Sequence, residues 1–238
     1  MVDYSVWDKL LKQYVNCHGQ VNYQYWQGEG EKALNQWLNS ISNIQLQQLT
    51  SEESLTLLIN LYNALVIAQI LKQYPIDSIL PTFFGIPNWL SFLRFFSRPI
   101  FQINDNQVSL NDIEHQMLRK QWQEPRIHFA LVCAARGCPL LRNEAYQGSR
   151  IYQQLNADAA RFINNSDKVK YYPESNLLQC SKIFKWYEKD FLTVASSIPA
   201  YISPYLSIPI KESVSLQYLD YDWRLNEQSS IDDLAATV

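Results

Sequence analysis

The sequence predicts a mostly helical α+β protein with a small β-sheet and hairpins, built as one domain over residues 1–226. Three observations predict this fold. Apolar residues recur at helical spacing in several separate segments, and one further segment is apolar on most of its sides. At two places in the chain, a pair of short extended stretches flanks turn residues, as the two strands of a hairpin do. The 238 residues are 47% apolar, which is enough to bury a sizeable core.

The first part of the chain contains two amphipathic helices. The segment 2–15 presents an apolar side made of Trp7, Leu10, Leu11 and Tyr14. A short extended stretch follows at 20–23. The segment 31–41 then forms the second helix, whose apolar side is made of Leu34, Trp37, Leu38 and Ile41.

The third helix is predicted to be the centre of the fold. Thr50 followed by Glu53 is a capping-box signal, and the helix that it opens runs to about Tyr74, where Pro75 stops it. The segment 55–71 is apolar on most sides, so we expect it to be buried.

Two amides interrupt this apolar helix. Asn60 and Asn63 are three residues apart and therefore share a face. A buried amide must be hydrogen-bonded or face a cavity. The simpler interpretation is that both amides tie the helix to neighbouring backbone, and the alternative is that they line a substrate pocket.

Residues 83–101 are dense in apolar and aromatic side chains: Phe83, Phe84, Trp89, Leu90, Phe92, Leu93, Phe95, Phe96 and Phe101. Arg94 and Arg98 lie among them, four residues apart. The favoured interpretation is a packed insertion that covers the core. The alternative is an exposed surface that contacts a membrane or a protein partner.

The middle of the chain is predicted to hold a hairpin, a helix and a strand. Residues 100–110 read as the hairpin, and Ser109 precedes a helix over 110–121 that carries Glu114 and His115. The apolar run 127–132 reads as a buried strand.

A reactive thiol is predicted directly after this strand. Pro139 suits the first turn of a helix, which makes Cys138 the expected N-cap. The positive end of a helix dipole favours the thiolate, which is the reactive form of cysteine.

The rest of the chain alternates helices and strands. We expect further helices at 150–163, 181–187 and 192–201, a hairpin at 169–180 and a strand at 214–219. The polar stretch 227–238 is expected to be a frayed tail.

Composition excludes several classes of function. The net charge of −3 and the lack of a basic stripe argue against nucleic acid as a partner. No apolar run is long enough to predict a transmembrane segment, and residues 1–15 lack the apolar core of a secretory signal. Four cysteines are too few for a disulfide scaffold, so the default location is the cytoplasm.

A nucleophilic thiol needs a base, and the chain has three histidines, at positions 18, 115 and 128. We prefer His115, because Asp112 lies three residues before it on the same helical face and would orient the ring. The alternative for His115 is a surface pair with Arg119 or Gln116. His128 is the second choice, since a lone histidine on an apolar strand is more often a structural group.

The sequence gives little support for metal binding or for other catalytic motifs. Cys133 and Cys138 have the spacing C-x4-C, but the second ligand pair of a structural zinc site is missing, and Cys133 is expected to be buried. No P-loop, G-x-S-x-G or H-E-x-x-H motif is present, so we expect neither metal nor cofactor. Arg136 and Arg142 flank Cys138 and are candidates to bind an anionic substrate group, although each alone is more typical of a structural ion pair.

Four stretches in order resemble the motifs of the domain-of-unknown-function 547 family: Ile59–Leu65; Leu110–His115 with Leu118 and Arg119; His128–Arg142; and Ser181–Tyr187 with Asp190 and Phe191. The resemblance runs through most of the chain. It implies that Glu114, His115, His128 and Cys138 lie at motif positions of the family. It implies no activity, because the family is named for the lack of one.

Two hypotheses from different classes follow. In the first, the protein is a cysteine-dependent hydrolase or acyltransferase acting on a small-molecule or peptide substrate, with Cys138 as nucleophile and His115 or His128 as base. In the second, it is a non-catalytic protein- or ligand-binding scaffold that uses the aromatic stretch 83–101 as its contact surface.

Overall fold

The computed structural model describes residues 2–103, 106–211 and 213–228. The described part is mostly helical, with small sheets of two or three strands. Its α-helices are α1 (Ser5–Tyr14), α2 (Tyr23–Trp26), α3 (Glu29–Ile41), α4 (Ser51–Leu71), α5 (Trp89–Ser97), α6 (Arg119–Gln121), α7 (Ile151–Ile163), α8 (Lys182–Trp186), α9 (Glu188–Phe191) and α10 (Ile198–Ile202). The predicted α+β fold, mostly helical, is confirmed.

Seven strands form three small antiparallel or mixed sheets in the described residues. They are β1 (Thr82–Phe83), β2 (Ile86–Pro87), β3 (Phe101–Ile103), β4 (Asn106–Val108), β5 (Val169–Tyr172), β6 (Leu177–Cys180) and β7 (Ser215–Tyr218). β1 pairs with β2 and β3 with β4 as antiparallel hairpins. β5 pairs antiparallel with β6, and β7 adds to β6 in parallel.

Helix α4 is the central element, as predicted. Thr50 accepts a hydrogen bond from the Glu53 amide and the Glu53 carboxylate accepts one from the Thr50 amide, so the capping box is complete. The helix is long and apolar enough to cross a membrane, but 89% of its most apolar window is buried inside the protein. It is therefore a core helix, and its apolar side chains belong to the larger buried cluster.

A π-helix over Asp112–Leu118 precedes α6 and replaces the regular helix predicted for 110–121. Ser109 and Asp112 do form the predicted cap, because Asp112 Oδ2 accepts hydrogen bonds from the Ser109 amide at 2.9 Å and hydroxyl at 2.6 Å. Wide π turns are rare and often lie at functional sites. This one carries Glu114 and His115.

Two local predictions are wrong. The run 127–132 is not a strand: Pro125–Phe129 form a 3-10 helix, and the chain continues without regular structure. No helix begins at Pro139, so Cys138 is not an N-cap and gains nothing from a helix dipole. Both segments are mostly buried, and burial alone does not distinguish a strand or helix from an irregular core segment.

The C-terminal prediction is only partly correct. The helix expected over 192–201 is confined to α10, which begins at Ile198 because Ser197 caps it and Pro199 occupies its first turn. Most of the predicted tail 227–238 lies outside the described residues. Glu227 and Gln228 are described, and the backbone of both pairs with Val21.

The buried apolar side chains form two clusters. The larger surrounds α4 and includes α1, α3 and the segment 130–141. The smaller packs α7 and α10 against the β5–β6–β7 sheet, with Phe129 at its centre. The chain between Phe129 and Leu141 therefore passes from one cluster to the other.

Candidate active site

A cavity of about 450 Å³ lies where the two clusters meet. Aromatic and other apolar side chains line it together with a group of polar ones. The polar and sulfur-bearing residues among those that line it are Tyr62, Asn111, Glu114, His115, Arg119, His128, Cys133, Cys138, Tyr187 and Tyr221. The structure thus brings together all four residues that the sequence nominates for catalysis.

A disulfide bond joins Cys133 to Cys138 at this cavity, with Cα atoms 6.3 Å apart. Cys138 Sγ also accepts hydrogen bonds from the Cys133 amide at 3.0 Å and from the Tyr221 hydroxyl at 3.2 Å. The expectation that Cys133 is simply a buried small hydrophobe is wrong, because it is half-buried and bonded to Cys138.

The amide of Asn63 positions the segment that leads to Cys133. Asn63 Nδ2 donates to the Ala130 carbonyl at 2.9 Å, and Asn63 Oδ1 accepts from the Val132 amide at 2.9 Å. Ala134 then adopts a φ of 65°, a left-handed conformation that is uncommon for residues with a Cβ. Such conformations persist only where the surroundings impose them.

The C-terminal segment provides those surroundings. Ala135 forms an antiparallel bridge with Leu225, and the Arg136 amide donates to the Arg224 carbonyl at 2.8 Å. The Gly137 amide donates to the Asp222 carbonyl at 2.7 Å. The turn between the two cysteines is therefore paired with residues almost ninety positions later in the chain.

Gly137 lets the Tyr221 ring approach the cysteine turn closely. A Cβ at this position would lie 2.8 Å from the ring, which is closer than side-chain contacts allow. Burial raises the pKa of the Tyr221 hydroxyl well above its ordinary value, and the nearby charge of Glu114 adds to this. Tyr221 is therefore a hydrogen-bond donor to the sulfur at any physiological pH.

His128 is buried and paired with a carboxylate. Its Nε2 lies 2.7 Å from Asp190 Oδ2, and its ring stacks on Tyr187 with centroids 3.8 Å apart. Burial lowers the pKa of His128 below its ordinary value, although the hydrogen bond with Asp190 partly offsets this. The imidazole is therefore held neutral near pH 7.

Asp190 joins His128 to Arg119. The Arg119 guanidinium donates to both oxygens of Asp190, at 2.6 and 2.8 Å. Burial alone would raise the pKa of Asp190, but the hydrogen bonds from His128 and Arg119 outweigh it and lower the pKa well below its ordinary value. The carboxylate thus stays ionised and orients the His128 ring.

His115 has a different partner from the one predicted. Its Nδ1 lies 3.0 Å from Arg119 Nη1, while Asp112 is engaged with Ser109. The prediction that Asp112 orients His115 is wrong, because the π-helix changes which side chains share a face. The alternative pairing with Arg119 is the one observed. A guanidinium can only donate hydrogen bonds, so Nδ1 of His115 is the acceptor in this contact. This assigns the tautomer in which Nδ1 carries no proton.

Glu114 is buried beside the histidines. Its Oε1 accepts a hydrogen bond from the Tyr187 hydroxyl at 2.6 Å and lies 3.8 Å from His115 Nδ1. Burial raises the pKa of Tyr187 well above its ordinary value, and Glu114 raises it further. A tyrosine therefore satisfies the buried carboxylate, and the same tyrosine ring supports His128.

The four predicted substrate-binding residues do not line this cavity. Asn60 bonds Trp7 and the backbone of Tyr146, and Asn63 bonds the cysteine segment, so both amides tie α4 to its neighbours. Arg142 forms ion pairs with Asp158 and Glu144 at 2.7 and 2.6 Å. Arg136 lines a separate polar depression, and its Nε donates to the Leu225 carbonyl. Arg119 is the arginine that reaches the cavity.

Sequence reasoning missed Asp190, Tyr187 and Tyr221 as parts of the site. Asp190 and Tyr187 lie in the fourth stretch that resembles family motifs, which was a usable signal. Tyr221 carried no signal, because only the pairing of the C-terminal segment with the cysteine turn brings it to the sulfur. Within the described residues, no group of three His, Cys, Asp or Glu side chains is arranged to hold a metal ion.

The fold and cavity define an α+β protein with a cysteine pair and two histidines in an aromatic pocket. The chain belongs to the family described as "Protein of unknown function, DUF547", whose model matches residues 46–163. The matched segment contains both cysteines and both cavity histidines, while Tyr187, Asp190 and Tyr221 lie beyond it. Searches of the curated proteins and of the solved structures find no significant match.

Proposed function

We propose that the cavity is the active site of a cysteine-dependent hydrolase or acyltransferase with Cys138 as the nucleophile. The observation that carries the proposal is the pair of hydrogen bonds that Cys138 Sγ accepts from the Cys133 amide and Tyr221 hydroxyl. Donors directed at a sulfur stabilise the thiolate relative to the thiol. Two histidines that line the same cavity supply the base that such a nucleophile needs.

The enzyme must first be reduced. An external dithiol provides two electrons and two protons, becomes a disulfide itself, and leaves Cys133 and Cys138 as thiols. A reducing cytoplasm, which the low cysteine count favours, would keep the pair in this form. The disulfide is then the oxidised, inactive form of the pair, in which the nucleophile is protected.

The reaction follows from the groups around the reduced sulfur. The neutral histidine takes the proton of the Cys138 thiol, and the thiolate attacks a carbonyl carbon. The bond to the leaving group breaks, the leaving group departs with that proton from the imidazolium, and a thioester remains on Cys138. Water, or the hydroxyl or amine of an acceptor, then attacks the thioester and gives its proton to the histidine, which returns it to the departing Cys138 thiolate, so the thiol is restored. The Asp190 pair supports His128 as the base, in the arrangement of nucleophile, base and orienting carboxylate. His115 is the alternative, because it lines the cavity and is more exposed.

The cavity wall favours a substrate with an apolar acyl group. Trp89, Phe92, Trp186 and Trp223 provide aromatic surface for such a group, whereas the charge of Arg119 is already matched by Asp190. A small molecule or a peptide side chain fits a volume of about 450 Å³.

The disulfide itself favours a second candidate, which is thiol–disulfide exchange with a substrate dithiol. In that reaction the protein accepts two electrons, the substrate forms a disulfide, and both cysteines are required. In the hydrolase, by contrast, Cys138 is required and Cys133 is not.

The first experiment measures the rate at which a haloacetamide alkylates each cysteine of the reduced protein between pH 5 and 9, followed by mass spectrometry. Cys17 is exposed and unpaired and is the internal reference thiol. Cys180 is the slow control, since burial raises its pKa to about 12. We expect Cys138 to react with an apparent pKa clearly below that of Cys17, and His128→Ala to reduce this difference while the Tyr221 and Cys133 donors remain. The same comparison in His115→Ala decides which histidine is the base.

Two further variants separate the candidate reactions. Cys133→Ser retains hydrolysis of activated thioesters and esters if Cys138 acts alone, whereas Cys138→Ser loses it. If both variants lose the ability to oxidise a dithiol substrate and neither hydrolyses esters, the exchange reaction replaces the hydrolase. An ordinary or inert Cys138 in every variant would contradict both.

A further inference from the structure

The aromatic stretch 83–101 forms an exposed apolar surface beside the cavity. The β1–β2 hairpin and the outer side of α5 contribute to it, and we call it the hairpin–helix surface. Its members are Phe83, Phe84, Ile86, Trp89, Leu90 and Leu93. Phe84 is 91% exposed and Leu90 is 78% exposed, which is unusual for side chains of this size and places both far out of the protein.

Helix α5 has two apolar sides with different surroundings. Phe92, Phe95 and Phe96 are partly buried and pack against the main cluster. Trp89, Leu90 and Leu93 are exposed on the other side. The packed insertion favoured from sequence therefore describes only the inner side, and core packing does not explain the outer one.

The residues at the tip of the β1–β2 hairpin are not those that folding alone would favour. Phe84 and Gly85 have φ values of 50° and 79°, as in a type I′ turn. Asn or Gly suits the first of these positions, and a bulky residue there is strained. Phe84 nevertheless occupies it, with its ring 4.5 Å from that of Phe83 and its side chain in solvent. A strained position with an exposed aromatic group indicates a binding role.

The segment that forms the surface carries charges of one sign. Residues 78–104 contain Arg94 and Arg98 and no Asp or Glu, although the whole chain has a net charge of −3. Lys72 lies with both arginines along one shallow depression at the edge of α5. None of these three cations forms an ion pair within the described residues.

We propose that the hairpin–helix surface binds the surface of a lipid bilayer that contains anionic phospholipids. The Phe83–Phe84 tip and the outer side of α5 enter the boundary between headgroups and acyl chains, where aromatic side chains are favoured. Lys72, Arg94 and Arg98 then lie at the depth of the phosphates. A protruding apolar tip with unpaired cations beside it fits a bilayer better than a protein groove, since a protein partner would need matching carboxylates.

The proposal does not depend on the cysteine chemistry. It does bear on it, because Trp89 and Leu93 belong to this surface and also line the cavity. A protein bound in this way would have the wall of its cavity at the membrane, from which an acylated substrate could enter.

The test is sedimentation of the full chain with vesicles. Phosphatidylcholine vesicles are compared with vesicles of phosphatidylcholine and phosphatidylserine in equal parts. We expect binding to the mixed vesicles that weakens as salt is raised, since salt screens the attraction to phosphates. The double variant Phe84→Ser/Leu90→Ser should lose binding. Arg94→Gln/Arg98→Gln should bind about fivefold more weakly for each arginine removed.

Val194→Ser is the matched control, because Val194 is an exposed apolar residue on another part of the chain. It should bind as the unchanged protein does. All variants should keep the circular dichroism and thermal midpoint of the unchanged protein, because the altered side chains are exposed.

Failure to bind mixed vesicles, or unchanged binding by both double variants, would overturn the proposal. So would a concentration-dependent dimer in light scattering that Phe84→Ser/Leu90→Ser dissolves in the absence of vesicle binding. The alkylation behaviour of Cys138 is measured separately and does not affect either outcome.

Discussion

At the scale of single residues, the chemistry depends on what donates to Cys138 and what orients His128. Tyr221 and the Cys133 amide contact the sulfur, while Asp190 and Tyr187 fix the imidazole. Each of these contacts joins residues far apart in the sequence, except the one within the cysteine turn. The separation explains why the sequence identified the cysteine and the histidines and not the groups that tune them.

Tyr221→Phe removes the hydroxyl and retains the ring. Loss of a hydrogen bond to a thiolate costs ~1.5 kcal/mol, so the pKa of the reduced Cys138 thiol should rise by about 1. The pH dependence of alkylation measures it, with Cys17 as the unchanged reference. An unaltered pKa would mean that the Cys133 amide alone stabilises the thiolate.

At the scale of elements, the cysteine turn is an irregular segment fixed from two sides. Asn63 on α4 holds its approach, and residues 222–226 pair with its far side. The cysteines themselves lie in neither a helix nor a strand. The nucleophile is therefore placed by tertiary hydrogen bonds and not by a helix N-terminus, as local sequence had suggested.

Asn63→Ala leaves the Ala130 carbonyl and Val132 amide buried without partners. We expect a loss of about 3 kcal/mol in the free energy of unfolding, together with slower re-formation of the disulfide. Urea unfolding and reoxidation kinetics measure the two effects. Gln69→Ala is the control, since Gln69 lies on the same helix and bonds the Phe95 carbonyl, away from the cysteines.

Gly137→Ala places a methyl group against the Tyr221 ring. The ring must move, which we expect to cost about 1–3 kcal/mol of stability and to weaken the contact with Cys138. The thiol pKa should then change in the same direction as in Tyr221→Phe. Gly148→Ala tests the effect of a glycine replacement without a clash, because the nearest atom to a Cβ at that position lies at 3.5 Å and its φ is not positive.

At the scale of the whole molecule, stability should fall in mild acid. The pKa of His128 is lower in the folded protein than in the unfolded chain, so the unfolded chain binds more protons as the pH falls below about 6.5. The stability that the neutral ring contributes is present above that pH. It is lost as the pH falls toward the lower pKa that His128 has in the folded protein. Asp190, whose pKa is also lowered, loses its contribution further down, below about 4.

His128→Gln should flatten the first part of this dependence. Glutamine cannot take up a proton in this range and can still donate to Asp190. Urea unfolding at several pH values between 5 and 8 measures the slope. His18→Gln is the control, because His18 is exposed. An equal slope in the unchanged protein and in His128→Gln would contradict the assignment.

The sequence by itself determined the fold class, the central helix with its Thr50 cap, both predicted hairpins and the family. These follow from periodicity, capping and turn residues, which act over a few positions. It also identified Cys138, His115, His128 and Glu114, and the structure brings these four to one cavity. It was wrong about the strand at 127–132, the helix at Pro139 and the partner of His115.

Only the tertiary structure decided how these residues work. The bond between Cys133 and Cys138, the Tyr221 donor, the Asp190 carboxylate and the exposure of Phe84 all depend on which distant segments meet. The physical reason is that apolar runs buried on every side carry no period, so local pattern cannot choose their conformation. Long-range backbone pairing, such as that of 222–226 with the cysteine turn, makes the choice instead.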